Sequence, residues 1–200
     1  MLIVTCMVYG WQNTETNPKD IDGCSLRYKQ KGMKKNMEEN KTMKNLMAAF
    51  AGESQANRKY NAYAKKAEKE GFANAAKLFR AAADAETIHA LKEFELAGKV
   101  NSTQDNLKDA IAGETHEYTS MYPEFLAIAE QEGLNNVMTA FRQAMNAEEV
   151  HAKLYTEALN SLDQKEEVFY YLCPVCGNIE TSIPDKCSIC GVPGTKFIKY

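Results

Sequence analysis

The sequence predicts an all-α four-helix bundle followed by a small C-terminal metal-binding domain of short β-strands and cysteine knuckles. Three observations predict it. The chain repeats itself with a period of about 61 residues, each predicted helix carries glutamate or Glu-x-x-His on its apolar face, and two Cys-x-x-Cys-Gly motifs close the chain.

The repeat sets the architecture. Asn45-Leu46 returns as Asn106-Leu107 and Ala51-Gly52-Glu53 as Ala112-Gly113-Glu114, both at an offset of 61. Glu70-Gly71 returns as Glu132-Gly133, Phe79-Arg80 as Phe141-Arg142, Ala85-Glu86 as Ala147-Glu148 and His89-Ala90 as His151-Ala152, all at 62. One residue is therefore inserted in the second half. Each half is rich in Ala, Glu, Lys, Leu and Met and reads as a helical hairpin broken by a glycine. Two hairpins make a bundle, with helices expected near 44–70, 73–97, 104–132 and 135–161. Gly71, Gly98 and Gly133 are the expected C-terminal breakers, and Pro123 is expected to kink the third helix.

Residues 1–42 have no sustained periodicity and carry polar and Lys-rich runs, which predicts a disordered extension. Met33, Met37 and Met43 lie closer to the first helix than Met1, so the expected true start is one of them. The bundle is expected over 43–165 and the cysteine domain over 168–200.

Composition narrows the function. With 24 Lys and Arg spread among 27 Asp and Glu, and a net charge of −3, there is no basic footprint for nucleic acid. The stretch Met1 to Trp11 is too short for the roughly 20 apolar residues of a membrane span and lacks the marks of a signal peptide. Four of six cysteines stand in Cys-x-x-Cys pairs, which suits a metal in a reducing compartment, so the cytoplasm is expected.

The inward stripes carry the chemistry. On the first helix the stripe runs Leu46, Ala49, Phe50, Glu53, Ala56, Tyr60, Ala64 and Ala67; on the second it holds Glu86 and His89 among Leu78, Phe79 and Ala82. The third carries Glu114 and Glu117 beside Leu107, Ile111 and Tyr118, and the fourth Glu148 and His151 beside Val137, Phe141 and Tyr155. A single inward glutamate reads most simply as one that reaches water or pairs with a cation, and a single histidine as a hydrogen-bonded core residue. Five carboxylates on facing stripes with no inward Lys or Arg do not; burying an unpaired carboxylate costs several kcal/mol, and neighbours repel one another. Bound metal is the economical counter-charge. Glu-x-x-His places both side chains on one helical face, within reach of one ion or two adjacent ones.

Five glutamates and two neutral histidines carry −5, which two divalent ions reduce to −1. Two trivalent ions with an oxo bridge leave the same charge, which suits iron or manganese and oxygen chemistry, although zinc fits the count too. Glu117 has Ala56 as its repeat partner, so one side of the site has a spare carboxylate, suited to bind in one oxidation state and withdraw in another.

Cys173, Cys176, Cys187 and Cys190 form two knuckles separated by ten residues, a tetrahedral thiolate site open to iron or zinc. So short a domain cannot fold on a hydrophobic core, so the metal supplies its folding energy. It reads either as a structural zinc ribbon or as a one-electron iron centre. Cys6 and Cys24 receive no role.

Taken together, Ala51-Gly52-Glu53-Ser54, Glu86-Thr-Ile-His89-Ala90, Ala112-Gly113-Glu114-Thr115-His116-Glu117-Tyr118, Ala147-Glu148-Glu149-Val150-His151 and the two knuckles resemble rubrerythrin over residues 43–200. The resemblance implies a ferritin-like bundle holding two irons and a rubredoxin-like domain holding one. It implies a non-haem peroxidase that reduces hydrogen peroxide to water, with electrons from an external donor such as rubredoxin or an NAD(P)H-dependent reductase. By the same resemblance Glu86 and Glu148 bridge the irons, Glu53 and Glu114 are terminal ligands, and His151 is a fixed ligand. His89 and Glu117 are the pair that exchange on one iron. Tyr60 and Tyr122 match tyrosines that hydrogen-bond the carboxylates. A homodimer or higher homo-oligomer is implied, with one subunit's cysteine domain near the other's di-iron site. Two other classes compete: a ferritin-like ferroxidase or iron store with a structural cysteine domain, and a pure electron carrier with a vestigial di-iron site.

Overall fold

A computed structural model of the chain describes residues 40–200. The expectations for a disordered extension and for starts at Met33 or Met37 lie outside those residues, as do Cys6 and Cys24. The described chain forms two compact units that part between Ala97 and Gly98.

The first unit is a hairpin of α1 (Lys41–Lys69) and α2 (Ala73–Leu96). Asn40 caps α1, its side chain accepting from the Thr42 amide and satisfying one of the free donors of the first turn. Gly71, at φ +83°, takes the left-handed turn between the helices. Phe50 stacks on Phe94 with centroids 4.5 Å apart, and Tyr60 and Tyr63 pack on Phe79 at 6.2 and 5.5 Å. These pairs run in opposite sequence directions, so the helices are antiparallel. Alanines line the seam: Ala64, Ala67, Ala76, Ala83 and Ala90 are buried, and Asn57 ties across it through Nδ2 to the Ala83 carbonyl at 2.7 Å.

The second unit repeats the hairpin with one addition. Its first limb is α3 (Thr103–His116), a π-helical turn (Glu117–Met121) and α4 (Tyr122–Gln131); its second limb is α5 (Asn135–Asn160). Tyr122 and Phe125 pack on Phe141 at 6.0 and 5.6 Å, the counterpart of the Tyr60 and Phe79 contact. Pro123, the residue expected to kink the third helix, stands in the first turn of α4. It follows a π turn in which the Tyr122 amide donates to the Glu117 carbonyl, so that turn absorbs both the missing proline donor and its steric demand. The same turn explains the repeat. Glu114 stands 61 residues after Glu53, whereas Tyr122 stands 62 after Tyr60, so the inserted residue is housed in the π turn.

After α5 the chain forms a three-stranded antiparallel sheet in the order β2-β1-β3, with β1 Tyr171–Leu172, β2 Ile179–Glu180 and β3 Ile198–Lys199. Strands this short have little cooperative strength, and the cysteines between them complete the module. The all-α class with a C-terminal cysteine module of short strands is therefore the architecture observed.

Candidate metal centres

The two cysteine knuckles are superposable turns. The Gly177 amide donates to the Cys173 carbonyl at 3.0 Å and the Gly191 amide to the Cys187 carbonyl at 2.9 Å, with φ of +83° and +75° at the glycines. These conformations are costly for any residue with a Cβ. They converge four unoxidised thiols whose sulfurs lie within 4.8 Å of one another. Cys173 and Cys190 sulfurs are 3.6 Å apart and those of Cys176 and Cys187 3.5 Å, close to the roughly 3.8 Å edge of a tetrahedron with 2.3 Å metal–sulfur bonds. Burial pushes the Cys176 and Cys190 thiols up. Burial also opposes ionisation of Cys187, yet amides of Cys190 and Ile189 bring it down to about 7. Such a set of mixed, mutually bonded thiols is suited to hold a cation as four thiolates.

The glutamates and histidines form two three-donor groups, one in each unit: Glu53, Glu86 and His89, and Glu114, Glu148 and His151. In the first, His89 Nδ1 lies 3.1 Å from Glu86 Oε2, with more than half of the His89 side chain exposed. Glu53 is raised above the ordinary carboxylate range by its hydrogen bond with Glu86 and by burial. In the second, His151 Nδ1 lies 2.6 Å from Glu148 Oε2, and both side chains are mostly buried. Burial and the Glu148 charge push Glu114 up to about 7. Carboxylates held up by their neighbours form a donor set short of positive charge, which metal ions fit.

Glu117 opens the π turn and is not one of the three donors of the second group. Burial and the Glu148 charge raise it as well, so it faces the same carboxylates from one turn away. Tyr122, at the end of that turn, is raised by burial and by Glu148, Glu117 and Glu114, while Tyr60 packs on Phe79 in the other hairpin.

Two contributors escaped the sequence reading. Tyr155, counted only as an apolar-stripe residue, is raised by burial and by Glu114 and Glu148, so its hydroxyl shares their field. Its position one turn after His151 was the available signal. The other is a backbone group: the Gly177 carbonyl accepts from His151 Nε2 at 2.9 Å. A ligating imidazole commonly donates its second N–H to a carbonyl in this way, which leaves Nδ1 free for a metal. The cysteine module thus touches a glutamate–histidine group of its own chain. The segment 161–170 after α5 is short enough to fold the knuckle back onto α5.

The rubrerythrin family model matches residues 44–159. Nigerythrin of Nitratidesulfovibrio vulgaris is 37% identical over 80% of this chain and 86% of its own length. Rubrerythrin of the same organism is 33% identical over 82% and 96%. Rubrerythrin of Porphyromonas gingivalis is 35% identical over 82% and 92%. A solved mixed-valence nigerythrin covers 80% of this chain and 87% of its own at 37% identity, with a TM-score of 0.50. The matched region contains all seven glutamate and histidine candidates, and the chain belongs to the rubrerythrin family.

Proposed function

We propose that this chain is a non-haem di-iron peroxidase that reduces hydrogen peroxide to water in the cytoplasm, with electrons passed inward through an iron held by Cys173, Cys176, Cys187 and Cys190. The observation that carries this reading is the hydrogen bond from His151 to Gly177, which links the two donor sets directly. Electron transfer needs short separations, and this bond holds the cysteine module against His151. A related nigerythrin has been solved in a form described as fully reduced and all ferrous, which supports iron over zinc. No described helix is long and apolar enough to cross a membrane.

Glu53, Glu86, His89, Glu114, Glu148 and His151 would hold the two irons, with Glu117 as the exchangeable ligand opposite His89. Two ferrous ions held there would supply the two electrons that peroxide takes up, and the chain's own groups would supply the protons and the setting. Glu117, raised by burial and by Glu148, keeps a proton at a pH where an ordinary carboxylate has lost it, so it can hand that proton to a leaving hydroxide. Tyr122 holds its phenolic proton in the same field and can donate a hydrogen bond to a carboxylate as ligands rearrange. His151, bonded to the Gly177 carbonyl, would be the fixed ligand, and Glu117, at the start of the π turn, would be the one that exchanges. The external donor would be a rubredoxin-type protein or an NAD(P)H-dependent reductase.

The test is a metal count and visible spectrum of anaerobically purified, reduced protein, followed by stoichiometric peroxide. About three irons per chain and rapid reoxidation of the cysteine centre are expected. Zinc at the cysteines, or iron that peroxide oxidises only sluggishly, would overturn the peroxidase in favour of iron handling.

A further inference from the structure

Each helical hairpin carries one carboxylate beyond its three close donors. In the second hairpin it is Glu117, which opens the π turn outside the group Glu114, Glu148 and His151. In the first it is Glu93, four residues after His89 and seven after Glu86 on α2, outside the group Glu53, Glu86 and His89. Seven residues are close to two helical turns, so Glu93 lies on the face of α2 that presents Glu86. Long helical side chains lean toward the N-terminus, which carries the Glu93 carboxylate back over the turn that bears His89. Phe94, the next residue, stacks on Phe50 at 4.5 Å and fixes this stretch of α2 against the turn of α1 that precedes Glu53.

Glu93 Oε2 is buried and has no hydrogen-bond partner. No Lys or Arg stands three or four residues from it on α2, where the neighbours are His89, Ala90 and Leu96, and Lys92 is paired with Glu95 at 3.1 Å. A carboxylate oxygen buried without a donor destabilises the fold that contains it, so a purely structural residue here would be apolar. Glu53 is held above the ordinary carboxylate range by its hydrogen bond with Glu86 and by burial, and the charge of Glu93 adds to both.

The repeat supplies an independent observation. At the offset that matches Glu86 to Glu148 and His89 to His151, Glu93 matches Tyr155. Tyr155 is raised by burial and by Glu114 and Glu148, so this position faces the donors in the second hairpin too. The histidines differ between the halves as well. His151 is bonded at both ring nitrogens, to Glu148 and to Gly177, whereas His89 is bonded among the described residues to Glu86 alone and is more than half exposed. The less firmly held imidazole therefore has the additional carboxylate beside it.

We propose that Glu93 is a metal ligand, the fourth donor of the first hairpin, for the ion that Glu53, Glu86 and His89 would hold. A carboxylate oxygen is the donor type that dinuclear iron and manganese bundles use. With it, each hairpin offers three carboxylates and one histidine, Glu93 in the first answering Glu117 in the second. The inference rests on the dinuclear-metal part of the proposed function and not on peroxide turnover.

Chelator competition tests it. The full-length chain is loaded with ferrous iron in the absence of oxygen, and the dinuclear iron it retains is followed against rising chelator, with the cysteine iron as internal standard. Glu93→Gln keeps the shape of the side chain and removes its charge; Glu93→Tyr gives α2 the residue type that the repeat carries in α5. In both, roughly tenfold less chelator is expected to strip the dinuclear iron, while the cysteine iron is unchanged. Metal-free, both variants are expected to melt no lower than metal-free wild type, because an unpartnered buried carboxylate has been removed. A merely structural glutamate would give the opposite pair, lower melting and unchanged retention. Wild-type retention in Glu93→Gln overturns the assignment, and so does weaker retention matched by an equal loss of metal-free stability. Should Glu93→Gln fail to fold, Glu93→Tyr decides. A wild-type chain that keeps only its cysteine iron removes the dinuclear reading and this inference together, whereas one that holds dinuclear iron but is not oxidised by peroxide removes the peroxidase and leaves Glu93 a ligand.

Discussion

His151 donates through Nε2 to the Gly177 carbonyl at 2.9 Å, while its Nδ1 faces Glu148 at 2.6 Å, so one imidazole is bonded to both metal-donor sets. The contact depends on Gly177 holding φ +83°, a conformation that presents its carbonyl to α5. Around the position of a Cβ on Gly177 there is nothing within 4 Å, so Gly177→Ala meets backbone strain and no clash. The expected result is a holoprotein destabilised by about 1–2 kcal/mol, with slower transfer from the cysteine centre in stopped-flow reoxidation. Unchanged stability and unchanged transfer together would show that the knuckle does not depend on this conformation.

Glu117→Ala is expected to leave the metal content intact, because Glu117 stands outside the three-donor group, and to slow peroxide reduction by roughly a hundredfold. Metal analysis and single-turnover kinetics check the two halves of that statement. Wild-type kinetics in the variant would remove Glu117 from the reaction.

With the dinuclear metal removed, stability falls as pH rises. Glu114 is raised from 4.5 to about 7 by burial and by Glu148, so the folded chain binds its proton more tightly than the unfolded chain does. That contribution is fully present below about pH 4.5 and is lost as pH climbs through 7. Thermal melts of the chelated protein should therefore give a lower Tm at pH 8 than at pH 5. Added divalent metal at pH 8 should reverse the loss, since it binds only the folded state. A flat profile would mean that the carboxylates are better solvated than their geometry indicates.

Cys173→Ser removes a fully buried donor from a set whose sulfurs are all within 4.8 Å. The expected outcome is loss of the iron–thiolate absorption and of protease resistance in residues 168–200, because a module with three two-residue strands has no other source of folding energy. Helical content by circular dichroism should stay near wild type. A module that remained protease-resistant without metal would contradict this account.

Much of the protein was legible in its residues. Periodicity located every long helix to within a few positions, because amphipathic stripes and glycine turns are local properties. The repeat of Glu53 and Glu86-x-x-His89 in Glu114 and Glu148-x-x-His151 singled out side chains that the fold brings together in two groups, because charge on an apolar face is costly wherever the chain folds. The four cysteines were equally plain, since metal geometry imposes its spacing on sequence. Tertiary structure decided what depends on contacts between distant segments. It absorbed the one-residue insertion before Tyr122 as a π turn, since a helix can widen one turn and keep its hydrogen bonds. It joined Gly177 to His151 through a backbone carbonyl, a group every residue possesses and no sequence pattern can mark. It also sorted the donors into two groups of three, one per unit, because which faces meet is a property of packing and chain length rather than of any single helix.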